Sequence, residues 1–546
     1  MTGGVTLRGT AASPGVAVGP VQHWDAAPAV HVEPAADLAD ASRRVVDDLG
    51  ARAEAAVSIE GRAVLQTLAM LAADPELLGA ANARIEAGES PSLAVRAAAR
   101  GYADQLRSLG SYLRERAHDV VDVGARLAAS LDGREAAELP NPGTPYILVA
   151  ADLAPTETAL LDSAVVLGIV TELGGVTSHT TILARSLGIP ALVVCTGASE
   201  LATGQQIVID GSSGELHVQV DDRLVESLRA RERQMGDRLA RAGGPGATAD
   251  GTAVALLANV GTINDALNAA SADVEGVGLF RTEFLFLDRN DEPDLDEQAA
   301  AYAAVLDAFG DRRVIFRTLD AGSDKPLPFL HLPAEDNPAL GIRGVRTWML
   351  GPSVLERQLA ALATAAAQTG RRPWVMAPMV ATVDEAERFA GLARAAGLTT
   401  VGVMVEVPAA ALRSAHLLAA VDFASVGTND LAQYALAADR QVGRLGSLLD
   451  PWQPAVLDLV AATCAGAQQH RRLVGVCGEA AADPRLAAVL VGMGVRSLSM
   501  APVALPGVRA LLAAVDLETC CRAAELARQA RSAPAARSAV ADLLAG

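Results

Sequence analysis

The sequence predicts a multidomain α/β protein: an α/β domain carrying an inserted helical bundle, followed by a (β/α)8 barrel. Three patterns predict it. Beyond residue 251, eight short β-favouring apolar runs alternate with mostly helix-like segments rich in Ala, Leu and Arg. A second set of strand-like runs falls between residues 146 and 220, and TLRGTAASPGVAVGPV near the N-terminus reads as strand with Gly and Pro punctuation. From about residue 35 to 130 the period changes, with apolar residues three and four apart, as in LADASRRVVDDLGARAEAAV.

In chain order, residues 1–20 and 131–220 are expected to form one α/β domain, its later strands being YILVA (146–150), AVVLGIV (164–170), ALVVC (191–195), QQIVIDG (205–211) and ELHVQV (215–220). Residues 21–130 are the helical insertion. Residues 221–250 read as a linker: DDRLVESLRARERQMGDRLAR is charged enough for a solvated helix, and AGGPGATADG then marks a boundary. Over 251–546 the runs AVALLANV, GVGLF, RVIFRTL, PWVMAPMV, TVGVMVEV, FASVG, RLVGVC and VRSLSM alternate with helices. That alternation implies parallel strands with crossover helices, and eight units in this length fit a barrel. An open doubly wound sheet is the competing arrangement.

The chain has 546 residues, enough for about three or four domains. No apolar run approaches the roughly 18–20 residues that span a bilayer, and MTGGVTLRGTAASPG lacks the basic and apolar regions of a signal peptide. A soluble, cytoplasmic protein without membrane attachment is expected. The net charge of −19 disfavours a nucleic-acid binder, which needs a basic footprint. The cysteines Cys195, Cys464, Cys477, Cys520 and Cys521 show no C-x-x-C spacing, so neither a disulfide framework nor a zinc site is indicated. A reducing compartment fits.

Polar residues stand at or just beyond the C-terminal ends of the barrel runs: Asn259, Arg281, Arg317, Glu406, Asn429 with Asp430, and Cys477. Barrel active sites are built on that face. Singly, the arginines also read as surface salt bridges and Thr-Asn-Asp as a turn. In the α/β half, GGVTSHTTILARSLGIPALVV (174–194) places Gly174 and Gly175 before Thr177, Ser178 and His179, with an amphipathic helix following. Thr177 and Ser178 suit a helix N-cap, and His179 would occupy the first turn. A helix N-terminus offers free N–H groups to an anionic phosphoryl group and favours a neutral, nucleophilic imidazole.

The His179 segment resembles the active-site signature shared by enzyme I, pyruvate phosphate dikinase and phosphoenolpyruvate synthase. The strings GLFRTEFLF, IFRTLDAGSDKP, NPALGIRGVR, MVEVPA, SVGTNDLAQYALAADR and GVCGEAAADP resemble the enzyme I barrel along nearly its whole length. The resemblance implies phosphoenolpyruvate as substrate and pyruvate as product, with His179 as the phosphorylated residue and Cys477 as the proton donor to the enolate. It implies Mg²⁺ held by Glu406 and Asp430. It assigns substrate binding to Arg281, Arg317, Arg343, Asn429, Asp430 and Arg440, with Lys325 as an additional candidate. The chain has Ala481 or Ala482 where the family usually has Gly, which bears on local loop shape alone.

No Gly-rich nucleotide loop precedes the histidine segment, so enzyme I fits better than the dikinases and synthases. Enzyme I docks a histidine-containing phosphocarrier protein (HPr) on its helical insertion, which LAADPEL (71–77) and YLRERAHDVVDVGARL (112–127) resemble; Asp74 and Glu76 could meet a basic carrier surface or serve as an ordinary helix-start pair. The sugar-transport branch is expected, with a homodimer through the barrel and an α/β domain that swivels about 221–251. A non-catalytic homologue and a nucleotide-using enzyme stand as alternatives.

Overall fold

The computed structural model describes residues 6–545 except 25–29, 32, 57–58, 109–110, 136–138, 141, 160, 175–178, 219, 242, 288, 290, 324–326, 331, 334 and 441. It divides into two compact units, 1–236 and 237–546.

The first unit is built on an eight-stranded sheet. Its early strands are β1 (Thr6–Arg8), β2 (Thr10–Ser13) and β3 (Val16–Trp24), the last running four residues past the expected limit of 20. A two-stranded neck, β4 (Val30–His31) with β5 (Arg134–Glu135), marks where the chain leaves and re-enters. The sheet resumes with β6 (Tyr146–Ala150), β7 (Val166–Thr171), β8 (Ala191–Val193), β9 (Gln206–Asp210) and β10 (Glu215–His217). The order is β1-β10-β9-β3-β6-β7-β8-β2, so β3 lies parallel beside β6 and stitches the two sequence segments together. β8 and β10 stop short of the apolar runs that predict them; Val194 follows β8 with φ 55°, which ends the extended path.

Between the neck strands stand five helices, Leu38–Ala55, Ile59–Ala72, Pro75–Glu86, Pro91–Ser108 and Ser111–Leu131. Their apolar stripes close on one core that includes Leu49, Leu65, Leu68, Leu77, Val95, Val123 and Leu127. Asp74 caps the third helix, accepting from the backbone N–H groups of Glu76 and Leu77 at 2.8 and 3.0 Å. This is the local role its spacing to the helix start allows.

The second unit is a closed barrel of eight parallel strands: β11 (Ala255–Val260), β12 (Gly276–Arg281), β13 (Arg313–Arg317), β14 (Trp374–Ala377), β15 (Thr400–Val405), β16 (Phe423–Gly427), β17 (Leu473–Cys477) and β18 (Ser497–Met500). Closure of β18 onto β11 removes the open-sheet alternative. Strand alternation sets two layers. Ile315 and Met404 face the barrel interior with Leu279, Met376 and Phe423, while Val314, Phe316, Val401, Val403 and Val405 face the helices. The interior closes by pairing large with small: a Cβ on Gly402 would come within 2.5 Å of the Phe423 ring. Two helices, Leu517–Gln529 and Ala533–Ala545, follow the barrel. Among the described residues, no helix is long and apolar enough to cross a membrane.

Candidate active site

The strand ends deliver most of the expected set to one rim. Arg281 and Arg317 are the last residues of neighbouring strands β12 and β13 and are register partners. Glu406 follows β15 directly, and Cys477 ends β17 opposite Gly427 of β16. Asn429 and Asp430 lie in the first turn of the helix Thr428–Leu436, which begins where β16 stops. Lys325 lies outside the described residues. Asn259 turns aside: its side chain donates to the Ser499 carbonyl at 3.2 Å within the β11–β18 pair.

The groups differ sharply in freedom. Arg281 is exposed, and Arg440 reaches Asp430 from the surface at 3.6 Å. Arg317 is buried; its guanidinium meets Glu283 at 2.9 Å, Asp320 at 3.4 Å and Glu406 at 3.9 Å. Arg343 is 1 % exposed and bridges two carboxylates. It donates to both oxygens of Asp320 at 3.0 Å and to those of Asp430 at 3.0 and 3.3 Å. The sequence reading offered Arg343 as a substrate binder; in the structure its guanidinium is taken up by Asp320 and Asp430, because the segment between β13 and β14 buries it between them.

Electrostatics follow from this crowding. Burial, then the Asp430 and Asp320 carboxylates, push the Glu406 carboxyl well above the usual range, against the pull of Arg317 and Arg343. Burial works against the Arg317 charge, but Glu283, Asp320 and Glu406 outweigh it and raise its affinity for the proton. Burial, reinforced by Glu406, pushes the Cys477 thiol up to about 11, so it holds its proton at neutral pH. Among the described residues, Thr428 Oγ1, Arg317 Nε and Glu283 Oε2 are buried without a hydrogen-bond partner. Orphaned buried polar atoms are costly and rare in folded proteins.

The PEP-binding domain of PEP-utilising enzymes matches residues 240–517, their mobile domain 142–214 and their N-terminal domain 8–116. A phosphoenolpyruvate-protein phosphotransferase of Streptomyces coelicolor is 49% identical, with 99% of each chain covered. One of Haloferax volcanii is 41% identical over 84% of this chain and 83% of its own. The chain belongs to the phosphoenolpyruvate-protein phosphotransferases. A solution structure of Enzyme I (nEIt) covers 42% of this chain at 30% identity, with a TM-score of 0.36.

In the first unit lies the histidine segment singled out from the sequence. Its helix runs His179–Leu187, beginning at the expected residue, while Gly175, Thr177 and Ser178 lie outside the described residues. Thr180, Thr181, Leu183 and Ala184 bury the helix against its own unit, and Arg185 donates to the Ala12 carbonyl at 2.6 Å. At the barrel, Ala481 and Ala482 form a helical turn without left-handed φ, so no glycine is needed there.

The residues fit a divalent cation. Glu406 and Asp430 are oxygen donors that repel one another in a buried setting, which a cation relieves. Gly427 makes the space: a Cβ there would lie 2.7 Å from Glu406 Cγ. The Met379 N–H donates to Glu406 Oε2 at 2.8 Å, from a backbone with φ 58°, and so orients the carboxylate. No group of three or more His, Cys, Asp or Glu suited to a metal occurs among the described residues. A two-carboxylate site that leaves its other positions to substrate oxygens and water is the usual magnesium arrangement.

The sequence reading missed Glu283, Asp320 and Met379. Each carboxylate sits two or three residues after a strand-end arginine, in Arg281-Thr-Glu283 and Arg317-Thr-Leu-Asp320, and that spacing was the available signal.

Proposed function

We propose that the chain takes the phosphoryl group of phosphoenolpyruvate onto His179 and passes it to the histidine-containing phosphocarrier protein HPr, releasing pyruvate, as the first step of sugar uptake by a phosphotransferase system. The reading is carried by the convergence of Arg317, Glu406, Asp430 and Cys477 on one barrel rim. Glu406 and Asp430 would hold Mg²⁺, which supplies charge neutralisation on the phosphoryl and enolate oxygens. Arg281, Arg317 and Arg440 bind the phosphate and carboxylate, and Asn429 offers its amide to the phosphate. A neutral His179 imidazole attacks phosphorus in line; the N–P bond forms as the bridging P–O bond breaks. The Cys477 thiol gives its proton to C3 of the enolate, completing pyruvate, and the thiolate regains a proton from solvent. Arg343 acts by holding Asp430.

His179 must visit both the barrel rim and the carrier, so we assign the swivel to residues 221–251. The carrier would dock on the helical insertion. The protein would work in the cytoplasm as a homodimer through the barrel, where Leu340, Met349 and Leu350 are exposed between β13 and β14; sedimentation tests this.

The deciding experiment incubates the chain with labelled phosphoenolpyruvate and Mg²⁺, then adds purified carrier. An acid-labile, base-stable phosphoprotein that discharges to the carrier is expected. Labelling by ATP alone, or label persisting in His179→Ala, would overturn the reading.

A further inference from the structure

Two acidic side chains pair with the buried arginines of the rim. Glu283, in the turn Thr282–Leu285 after β12, accepts from Arg317 Nη2 at 2.9 Å and from the Asp320 N–H at 2.8 Å through the same oxygen. Asp320, 1 % exposed, takes the Arg343 fork on both oxygens at 3.0 Å. Asp320 also lies 3.4 Å from Arg317 Nη1. Glu283 and Asp320 are therefore joined to each other through a backbone hydrogen bond and to both buried guanidiniums through charge.

Resting on the functional reading above, we propose that Glu283 and Asp320 are positioning residues that keep Arg317 from collapsing onto Glu406. Glu406 is the inner carboxylate within reach of Arg317, at 3.9 Å, while Arg343 already spans Asp320 and Asp430. A buried guanidinium that loses its outer partner must find another, because an unpaired buried charge costs several kcal/mol. Arg317 would close on Glu406. That move consumes oxygens wanted by the cation and guanidinium N–H groups wanted by the substrate. The outer carboxylates thus neutralise Arg317, so that Glu406 stays available. Amide hydrogen bonding adds rigidity. The Gln358 side chain accepts from the Leu319 N–H at 2.9 Å and donates to Thr282 Oγ1 at 3.1 Å, and Thr282 donates to the Arg317 carbonyl at 2.8 Å. The two loops bearing Glu283 and Asp320 are locked together by this buried relay.

The test uses the full chain carrying His179→Ala, which cannot accept phosphate. Phosphoenolpyruvate binding with Mg²⁺ is measured by calorimetry, and Mn²⁺ binding without substrate by electron paramagnetic resonance. Glu283→Gln and Asp320→Asn should each weaken both by about 10- to 100-fold, the range typical of residues that orient metal and anion ligands. Adding Glu283→Gln to Arg317→Gln should cost little more than Arg317→Gln alone, since Glu283 acts through that arginine. Glu283→Gln, at a half-buried side chain, keeps the test decisive should Asp320→Asn fail to fold. Unchanged Mn²⁺ and substrate affinity in Glu283→Gln, or fully additive losses in the double variant, would sink the proposal while leaving the functional reading intact. A parent chain that binds no phosphoenolpyruvate would sink the functional reading first.

Discussion

The barrel rim and the histidine helix solve opposite problems. At the rim, Arg317, Asp320, Arg343, Glu406 and Asp430 are all buried, and each is balanced by an opposite charge. In the first unit the buried charged side chains among the described residues are Asp119, Arg126 and Asp210, none of them on the helix His179–Leu187. That helix buries hydroxyl and apolar groups, Thr180, Thr181, Leu183 and Ala184. The contrast teaches that charge compensation is concentrated at the barrel rim. The helix His179–Leu187 is mounted on uncharged side chains instead.

The sharpest way to break this comparison is His179→Ala. It should abolish phosphoprotein formation entirely while leaving phosphoenolpyruvate binding at the barrel unchanged, read by autoradiography and calorimetry. Lost binding would mean that the two halves are not separable. Next, Arg343→Ala strands Asp320 and Asp430 in the interior. It should destabilise the barrel by about 3–5 kcal/mol in urea unfolding, whereas Arg185→Ala on the histidine helix, an exposed residue, should cost far less. Comparable losses would erase the distinction between a charge-packed and an uncharged mount.

A smaller effect concerns reactivity. With its thiol pushed up to about 11, Cys477 is neutral below that pH and gains thiolate only as pH rises towards it. Iodoacetamide at pH 7.5 should therefore modify exposed Cys521 well before Cys477, followed by mass spectrometry. Equal rates would mean an open, ionised thiol. The smallest change is at the helical insertion: Asp74→Ala removes an N-cap and should cost about 1 kcal/mol. If it weakened carrier binding without altering stability, docking rather than capping would be its main role.

Much of this architecture was legible because barrels write themselves twice, in the repeated apolar runs and in the chemistry at their C-terminal ends. Arg281, Arg317, Glu406, Asp430 and Cys477 could be named for that reason. What stayed hidden depends on contacts between distant segments. Arg343 lies in a long irregular stretch, and only folding reveals that Asp320 and Asp430 claim both sides of its fork. PWVMAPMV reads as continuous strand, but β14 ends at Ala377 and Met379 adopts a left-handed backbone to hand its N–H to Glu406. Periodicity has no voice for such a turn. Likewise the neck strands β4 and β5 are too short to announce themselves.

That neck has a consequence for how the chain comes together during synthesis. β3 must wait for β6, its parallel neighbour more than a hundred residues later, and such distant pairings are slow because the intervening chain has to be ordered first. The β4–β5 pairing, Val30 with Glu135 and His31 with Arg134, holds the two crossings one strand spacing apart, about 4.8 Å. Once the neck is closed, β3 and β6 are joined by a short loop in place of the whole insertion. The inserted bundle then adds little to the loop that this sheet has to close.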